Sequence, residues 1–338
     1  MLHMRIKNKL RHADVCQHLI KMPKQVRHDE KNKEKRKSIM KKNIVITLLM
    51  LLVFSQSHSQ LKIVTTIPDL KSIAEFIGGD RVDAFSIATG FQNPHFVDPK
   101  PSYILKLSKA DMFITVGLDL EIGWVPPLLN SARNQKIQKG GEGYVDASTN
   151  IPLLQIPTSV NRGEGDIHIF GNPHYWLDPL NGKIIAQNIC NALSHLDPEH
   201  QAMFQSNLKK FNETADAKVK EWESKLSKFK NTKVIVYHNE WPYFEQRFGL
   251  KIIDFLEPKP GIPPTPSQLA KIINIMKREN IKIIINSPYF TSESADLVAR
   301  NTGGKVVTLA TSVGAYPAIK TYFDLFDYNV NQLLSALQ

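Results

Sequence analysis

Residues 199–229 read EHQAMFQSNLKKFNETADAKVKEWESKLSKF, 31 residues without a glycine or a proline. Asp197-Pro198 stands immediately before them, an N-cap residue followed by the proline that suits a first helical turn. Apolar side chains recur at Met203, Leu208, Phe211, Ala215, Val219, Trp222 and Leu226, three to five residues apart. That period predicts one amphipathic helix. At 1.5 Å per residue it would run about 46 Å, long enough to serve as the spine of a two-lobed molecule. A helical hairpin packed on one lobe is the alternative.

On either side of this stretch the same grammar occurs. Residues 61–66, 82–87 and 112–116 are short β-branched runs, with amphipathic segments at 69–77 and 103–109, and 182–194 is helical. After the spine, 233–237, 251–255, 281–285 and 305–309 read as strands, and 267–279, 292–301 and 322–337 as helices. Strands alternating with helices imply parallel βαβ units. The expected fold is therefore α/β, two similar lobes with parallel sheets joined by one long helix. The boundaries are a leader at 1–59, an N-terminal lobe at 60–196, a connecting helix at 197–230 and a C-terminal lobe at 231–338.

The chain has 338 residues, with 43 Lys+Arg against 32 Asp+Glu. Of these, 14 basic and 4 acidic residues lie in 1–59, so the remaining 279 residues hold 29 against 28. A body with a net charge of +1 and no basic stripe disfavours nucleic-acid binding. Within the leader, Lys41-Lys42 precede an apolar run at 44–54 and a small polar exit, Ser55-Gln56-Ser57-His58-Ser59. This is the layout of a secretory signal peptide at 40–59, cut after Ser59. Eleven apolar residues fall short of the roughly 20 that span a bilayer. The Lys-, Arg- and His-rich residues 1–39 read as a mis-called start with Met40 as initiator, the alternative being a genuine basic extension. Of two cysteines, Cys16 is in the leader and Cys190 falls in an apolar helical pattern, so Cys190 is expected in the core. With no cysteine at the exit there is no attachment point for a lipid anchor. The product is expected to be a soluble periplasmic monomer.

Three loop-rich segments, 88–101, 155–173 and 257–266, are the places to look for ligands in such a fold. The triplet Asn-Pro-His occurs twice, at Asn93-Pro94-His95 and Asn172-Pro173-His174, and His238 ends the strand at 234–237. Proline stiffens its own backbone and that of the residue before it, so each triplet presents an imidazole from a rigid loop. Imidazole is matched to Zn²⁺, and three from separate loops make most of a tetrahedral site. Hydrolase signatures of the His-Glu-x-x-His and Gly-x-Ser-x-Gly types do not occur. Thr302-Gly303-Gly304 reads as a turn after a helix rather than a phosphate cradle.

Four motifs in order carry a resemblance. They are Asn93-Pro94-His95 with Pro101-Ser102; Asn172-Pro173-His174-Tyr175-Trp176-Leu177-Asp178-Pro179; Tyr237-His238-Asn239-Glu240-Trp241-Pro242-Tyr243-Phe244; and Glu257-Pro258-Lys259-Pro260-Gly261 with Pro266-Ser267. From about Leu61 to the C-terminus the chain resembles the zinc- and manganese-binding solute-binding proteins of ABC importers, the family of periplasmic zinc-binding and streptococcal manganese-binding lipoproteins. The resemblance implies a metal between the lobes, held by His95 and His174 from the first and His238 from the second. It implies an ABC permease and a cytoplasmic ATPase as partners, and a binding protein rather than an enzyme. Many relatives carry an Asp or Glu before a glycine near the end of the chain, where this sequence reads Leu309-Ala310-Thr311-Ser312-Val313-Gly314. The fourth ligand is left to water, Glu257, Glu240 or His168. Without that carboxylate the expected ion is Zn²⁺ rather than Mn²⁺. His195 and His200 are expected at the surface. Trp176 and Asp178 are expected to fix the second loop, with Asp178 also able to orient an imidazole. The competing readings are a zinc-dependent hydrolase, with Glu240 or Glu257 as its base, and a metal-binding surface adhesin.

Overall fold

The computed structural model describes residues 33, 35–42, 60–158, 168–259 and 261–337. The chain divides into two units, Met1–Ser59 and Gln60–Gln338. In the first, residues 35–42 are helical and exposed. The signal-peptide run and its cut after Ser59 lie outside the described residues.

In the second unit the chain lays down β1 (Leu61–Thr65), α1 (Pro68–Gly78), β2 (Val82–Ser86), α2 (Pro101–Ser108), β3 (Met112–Thr115), α3 (Val125–Ala132) and β4 (Tyr144–Asp146). These strands form a parallel sheet in the order β2-β1-β3-β4. Two helices follow, α4 (Pro179–Leu196) and α5 (Gln201–Leu226). Then come β5 (Lys233–Val236), α6 (Pro242–Phe248), β6 (Lys251–Phe255), α7 (Pro266–Glu279), β7 (Ile283–Asn286), α8 (Glu293–Thr302), β8 (Lys305–Thr308) and α9 (Tyr322–Leu337). The second sheet is also parallel, in the order β6-β5-β7-β8, the same order as the first.

The spine is one helix of 26 residues, so the hairpin alternative is set aside. It is shorter than the sequence period suggests because its ends tighten into 3₁₀ turns at Pro198–His200 and Ser227–Phe229. Its buried stripe runs Phe204, Leu208, Phe211, Ala215, Val219, Trp222 and Leu226. Phe204 thus takes the inward place expected of Met203. The periodicity also left three short elements unmarked. α3 opens on Val125-Pro126-Pro127, which reads as a breaker but fits a first turn, where no amide partner is needed. β4 has three residues and α6 has seven, too few for a period to show.

Alternation along the strands of the second sheet separates two cores. Val234, Val236, Ile283, Ile285 and Val307 join the large cluster that includes the spine, while Ile235 and Ile284 belong to a smaller one with Leu269, Ile272 and Met276 of α7 and Val298 of α8. Cys190 is fully buried in the large cluster. α9 packs back on α1 and α5, and Tyr322 fills the space above Gly182 of α4, where a Cβ would lie 2.4 Å from its ring.

Candidate functional site

The loops that matter leave the carboxyl ends of strands in both sheets, where ligands bind in parallel α/β folds. His95 lies in the loop after β2, His174 after β4 and His238 directly after β5. The two Asn-Pro-His triplets have the same local geometry. Asn93 Oδ1 accepts the His95 amide N–H at 3.0 Å, and Asn172 Oδ1 accepts the His174 amide N–H at 3.0 Å. Each asparagine closes a turn over its proline, as short polar side chains do. Trp124 Nε1 donates to the Pro94 carbonyl at 2.9 Å and holds the first loop from inside.

These turns and the end of β5 bring three imidazoles together. One nitrogen from each of His95, His174 and His238 lies within 4.8 Å of the others. The Nε2 atoms of His95 and His174 are 3.1 Å apart. Nδ1 of His174 is 3.0 Å from Asn172 Oδ1, and the Asn172 amide is oriented by donating to the Asn239 carbonyl at 2.8 Å and to Gln155 Oε1 at 3.0 Å. His174 therefore carries its proton on Nδ1 and presents Nε2 as a lone pair. Nδ1 of His238 is 2.5 Å from Glu257 Oε2, and Glu257 Oε1 accepts the Gly261 amide at 2.8 Å. Burial, reinforced by the neighbouring imidazoles, holds His95 and His174 well below the usual histidine range. At neutral pH both are uncharged, the form that ligates a cation.

His168 is brought to the rim of this group. Its ring is 5.0 Å from that of His95 and 6.2 Å from that of His174, and burial lowers it to about 4. Its Nε2 is buried and has no hydrogen-bond partner among the described residues. The converging set holds the three histidines, and Glu257 stands behind His238 with its two oxygens bonded to His238 and Gly261. Glu240 is buried and accepts the hydroxyls of Ser287 and Tyr289. His195 is exposed, and His200 pairs with Asp197 at 2.8 Å, away from the cluster. Trp176 fixes the second loop by donating to the Thr311 carbonyl at 2.9 Å. Asp178 caps α4 through Leu180 N at 2.9 Å and takes both arms of Arg247 at 2.8 and 2.9 Å, so the carboxylate that orients an imidazole is Glu257 rather than Asp178. Beyond the repeated triplet itself, nothing in the sequence marks the Asn172 brace.

Two parallel α/β lobes joined by a long helix, with imidazoles converging from loops of both, define the class of metal-binding solute-binding proteins. Residues 63–336 match the family model described as ZnuA, zinc-uptake complex component A, periplasmic. The chain belongs to that family. It is 25% identical over 298 residues to the manganese ABC transporter substrate-binding lipoprotein PsaA of Streptococcus mitis, covering 83% of this chain and 90% of that one. It is 26% identical over 292 residues to the iron ABC transporter substrate-binding lipoprotein MtsA of Streptococcus pyogenes, covering 82% and 89%. A crystal structure of ZnuA superposes with a TM-score of 0.71 at 24% identity, covering 83% of this chain and all of that one, a likeness of fold. The protein is an extracytoplasmic substrate-binding protein of a metal ABC transporter.

Proposed function

We propose that this protein captures Zn²⁺ outside the cytoplasmic membrane and hands it to an ABC permease driven by a cytoplasmic ATPase. The ligands in this reading are His95, His174 and His238. The observation that carries it is the 3.1 Å approach of two Nε2 atoms, one of which is fixed as a lone pair by Asn172. Two nitrogens bound to a tetrahedral zinc at about 2.0–2.1 Å would lie roughly 3.3 Å apart. A cation between them, with His95 in the matching tautomer, accepts both lone pairs as two bonds. His168, whose buried Nε2 has no partner among the described residues, is the fourth ligand in this reading, ahead of water. Glu257 acts as the brace of His238 rather than as a ligand, in the manner of carboxylate–histidine–metal triads.

Zinc is favoured over manganese because the converging donors are imidazoles, whereas Mn²⁺ prefers carboxylate and water oxygens. The relatives named for manganese and iron make the ion the point to test. Binding without catalysis is supported by the state of the two carboxylates a hydrolase would recruit as base, Glu257 and Glu240, since each is already engaged. In the proposed cycle the protein works as a monomer freed by cleavage of its signal peptide. Unlike relatives named as lipoproteins, it has no cysteine in residues 55–60 to carry a lipid.

Titration of the metal-free protein with Zn²⁺, Mn²⁺ and Fe²⁺, beside His95→Ala, His174→Ala and His238→Ala, tests this. One tight zinc per chain is expected, weakened by more than about 100-fold in each variant, beyond the range for losing an outer partner. Manganese or iron binding more tightly than zinc would overturn the choice of ion. Variants that bind like the wild type would overturn the ligand set.

A further inference from the structure

The segment that leaves β8 touches both histidine loops of the N-terminal lobe. Trp176, two residues after His174, bonds the Thr311 carbonyl, and its ring lies 5.3 Å from that of His174. Gly90, five residues before His95, meets residues 313–315 backbone to backbone. A Cβ there would come within 2.3 Å of Ala315 N and 2.4 Å of Val313 O and Gly314 C. Gly90 does not have a left-handed φ, so glycine is needed at this position for space and not for conformation. Its neighbour Phe91 sets its ring edge-on to Tyr316 at 6.4 Å. Asp69 of α1, fully buried, accepts the Ser312 hydroxyl and, at 3.2 Å, the Val313 amide.

On its other side the same segment is rooted in the C-terminal lobe. Asn329 of α9 bonds Ala310 at both its amide, 2.8 Å, and its carbonyl, 2.7 Å. The Thr311 side chain stands beside Tyr289, which donates to Glu240, two residues after His238. Within the segment, Gly314 N donates to the Ile319 carbonyl at 2.9 Å and Ala315 N to the Ser312 carbonyl at 3.2 Å, which makes it a stiff turn.

We propose that residues 311–316 form a clasp that fixes the His95 and His174 loops against the lobe carrying His238, and so sets how fast the bound metal leaves. This rests on the three histidines being the ligands. None of Asp69, Gly90 and Ser312 needs to touch metal; they are positioning residues. Release requires imidazoles from two lobes to separate. The contacts of the clasp join those same lobes, so they part before the metal is free. Loosening the clasp lowers that barrier without removing a ligand.

The test uses the full chain and two variants, Ser312→Ala, which removes the hydroxyl donated to Asp69, and Gly90→Val, which fills the backbone contact. Each protein is loaded with zinc and chased with excess chelator, and release is followed in time. About tenfold faster release is expected in both, with the amount of zinc per folded chain unchanged, on the scale seen when an outer partner of a metal ligand is lost. Release at the wild-type rate overturns the clasp. So does a loss of zinc capacity with no change in the rate of the bound fraction, because that outcome means damaged packing alone. A second measurement needs no metal: spin labels at the exposed positions Lys106→Cys and Lys277→Cys report the separation of the lobes. Both variants should broaden that distance, and an unchanged narrow distribution overturns the clasp. If the distance broadens while the wild type takes up no zinc, the ligand assignment has failed and the positional role of the clasp stands.

Discussion

In the N-terminal lobe the imidazole of His174 is held by an amide, Asn172, whereas in the C-terminal lobe that of His238 is held by a carboxylate, Glu257. The sheets that carry them have the same strand order. The same scaffold thus holds two imidazoles by different means. A neutral brace fixes a tautomer and an angle; an anionic one does both and also makes the ring more basic. The lobes differ in their cores as well. Residues from both faces of the first sheet belong to the cluster that includes the spine, whereas one face of the second sheet packs into a separate, smaller cluster under α7 and α8. The C-terminal lobe is therefore the one with a core of its own.

That difference can be broken first by Ile284→Ala, which hollows the smaller cluster at a fully buried position. A loss of about 2–5 kcal/mol is expected in urea unfolding of the metal-free protein. Hydrogen exchange should speed up in β5, β7 and α7 before it does in α4 and α5. Equal acceleration everywhere would mean that the two cores melt as one. A smaller effect compares the braces. Glu257→Gln keeps the size and removes the charge, and should weaken zinc binding by about 10- to 100-fold, or roughly 1.4–2.7 kcal/mol. Asn172→Ala should sit at the lower end of that range. A larger loss from Asn172→Ala would show that angle matters more than charge.

The smallest effect concerns Asp69, which burial pushes up to about 7 despite hydrogen bonds from Ser312 and Val313. Folded, it keeps its proton to about pH 7; unfolded, it loses it near pH 4. Between those values the native state binds more protons, so the contribution of this group to stability is greatest at low pH and fades as pH rises. Measured against Asp69→Asn, the wild type should lose about 1 kcal/mol of relative stability between pH 6 and pH 7.5. A pH-independent difference between the two proteins would place the native carboxyl near its ordinary value.

The strands and helices that could be read from the sequence were those with enough residues for a period. β1 and the four strands of the second sheet are short but rich in Val and Ile, β2 and β3 carry β-formers among other residues, and α5 is long. The three-residue β4 and the proline-led α3 and α6 offer no such signal. For the site, the repeated Asn-Pro-His pointed to His95 and His174, because a stiff loop is a local property. The convergence of those loops with His238 is a property of the parallel sheets, whose carboxyl ends gather residues from distant stretches. The brace by Glu257 spans 19 residues and the contact of Asp69 with Ser312 spans 243. Contacts of that reach leave no spacing to read, and Ser312 stands in a stretch that drew notice only for lacking a carboxylate.

The return of α9 to the first half of the molecule bears on the order in which the protein can be made. Tyr322 seats its ring over Gly182 and donates its hydroxyl to the Trp176 carbonyl at 2.6 Å, and Phe323 packs edge-on to Phe76 of α1 at 6.2 Å. The lobe that leaves the ribosome first thus lacks part of its core until nearly the last residues have been added. A nascent chain in this condition cannot complete its first lobe ahead of its second. Until α9 arrives, the places over Gly182 and beside Phe76 stand unfilled.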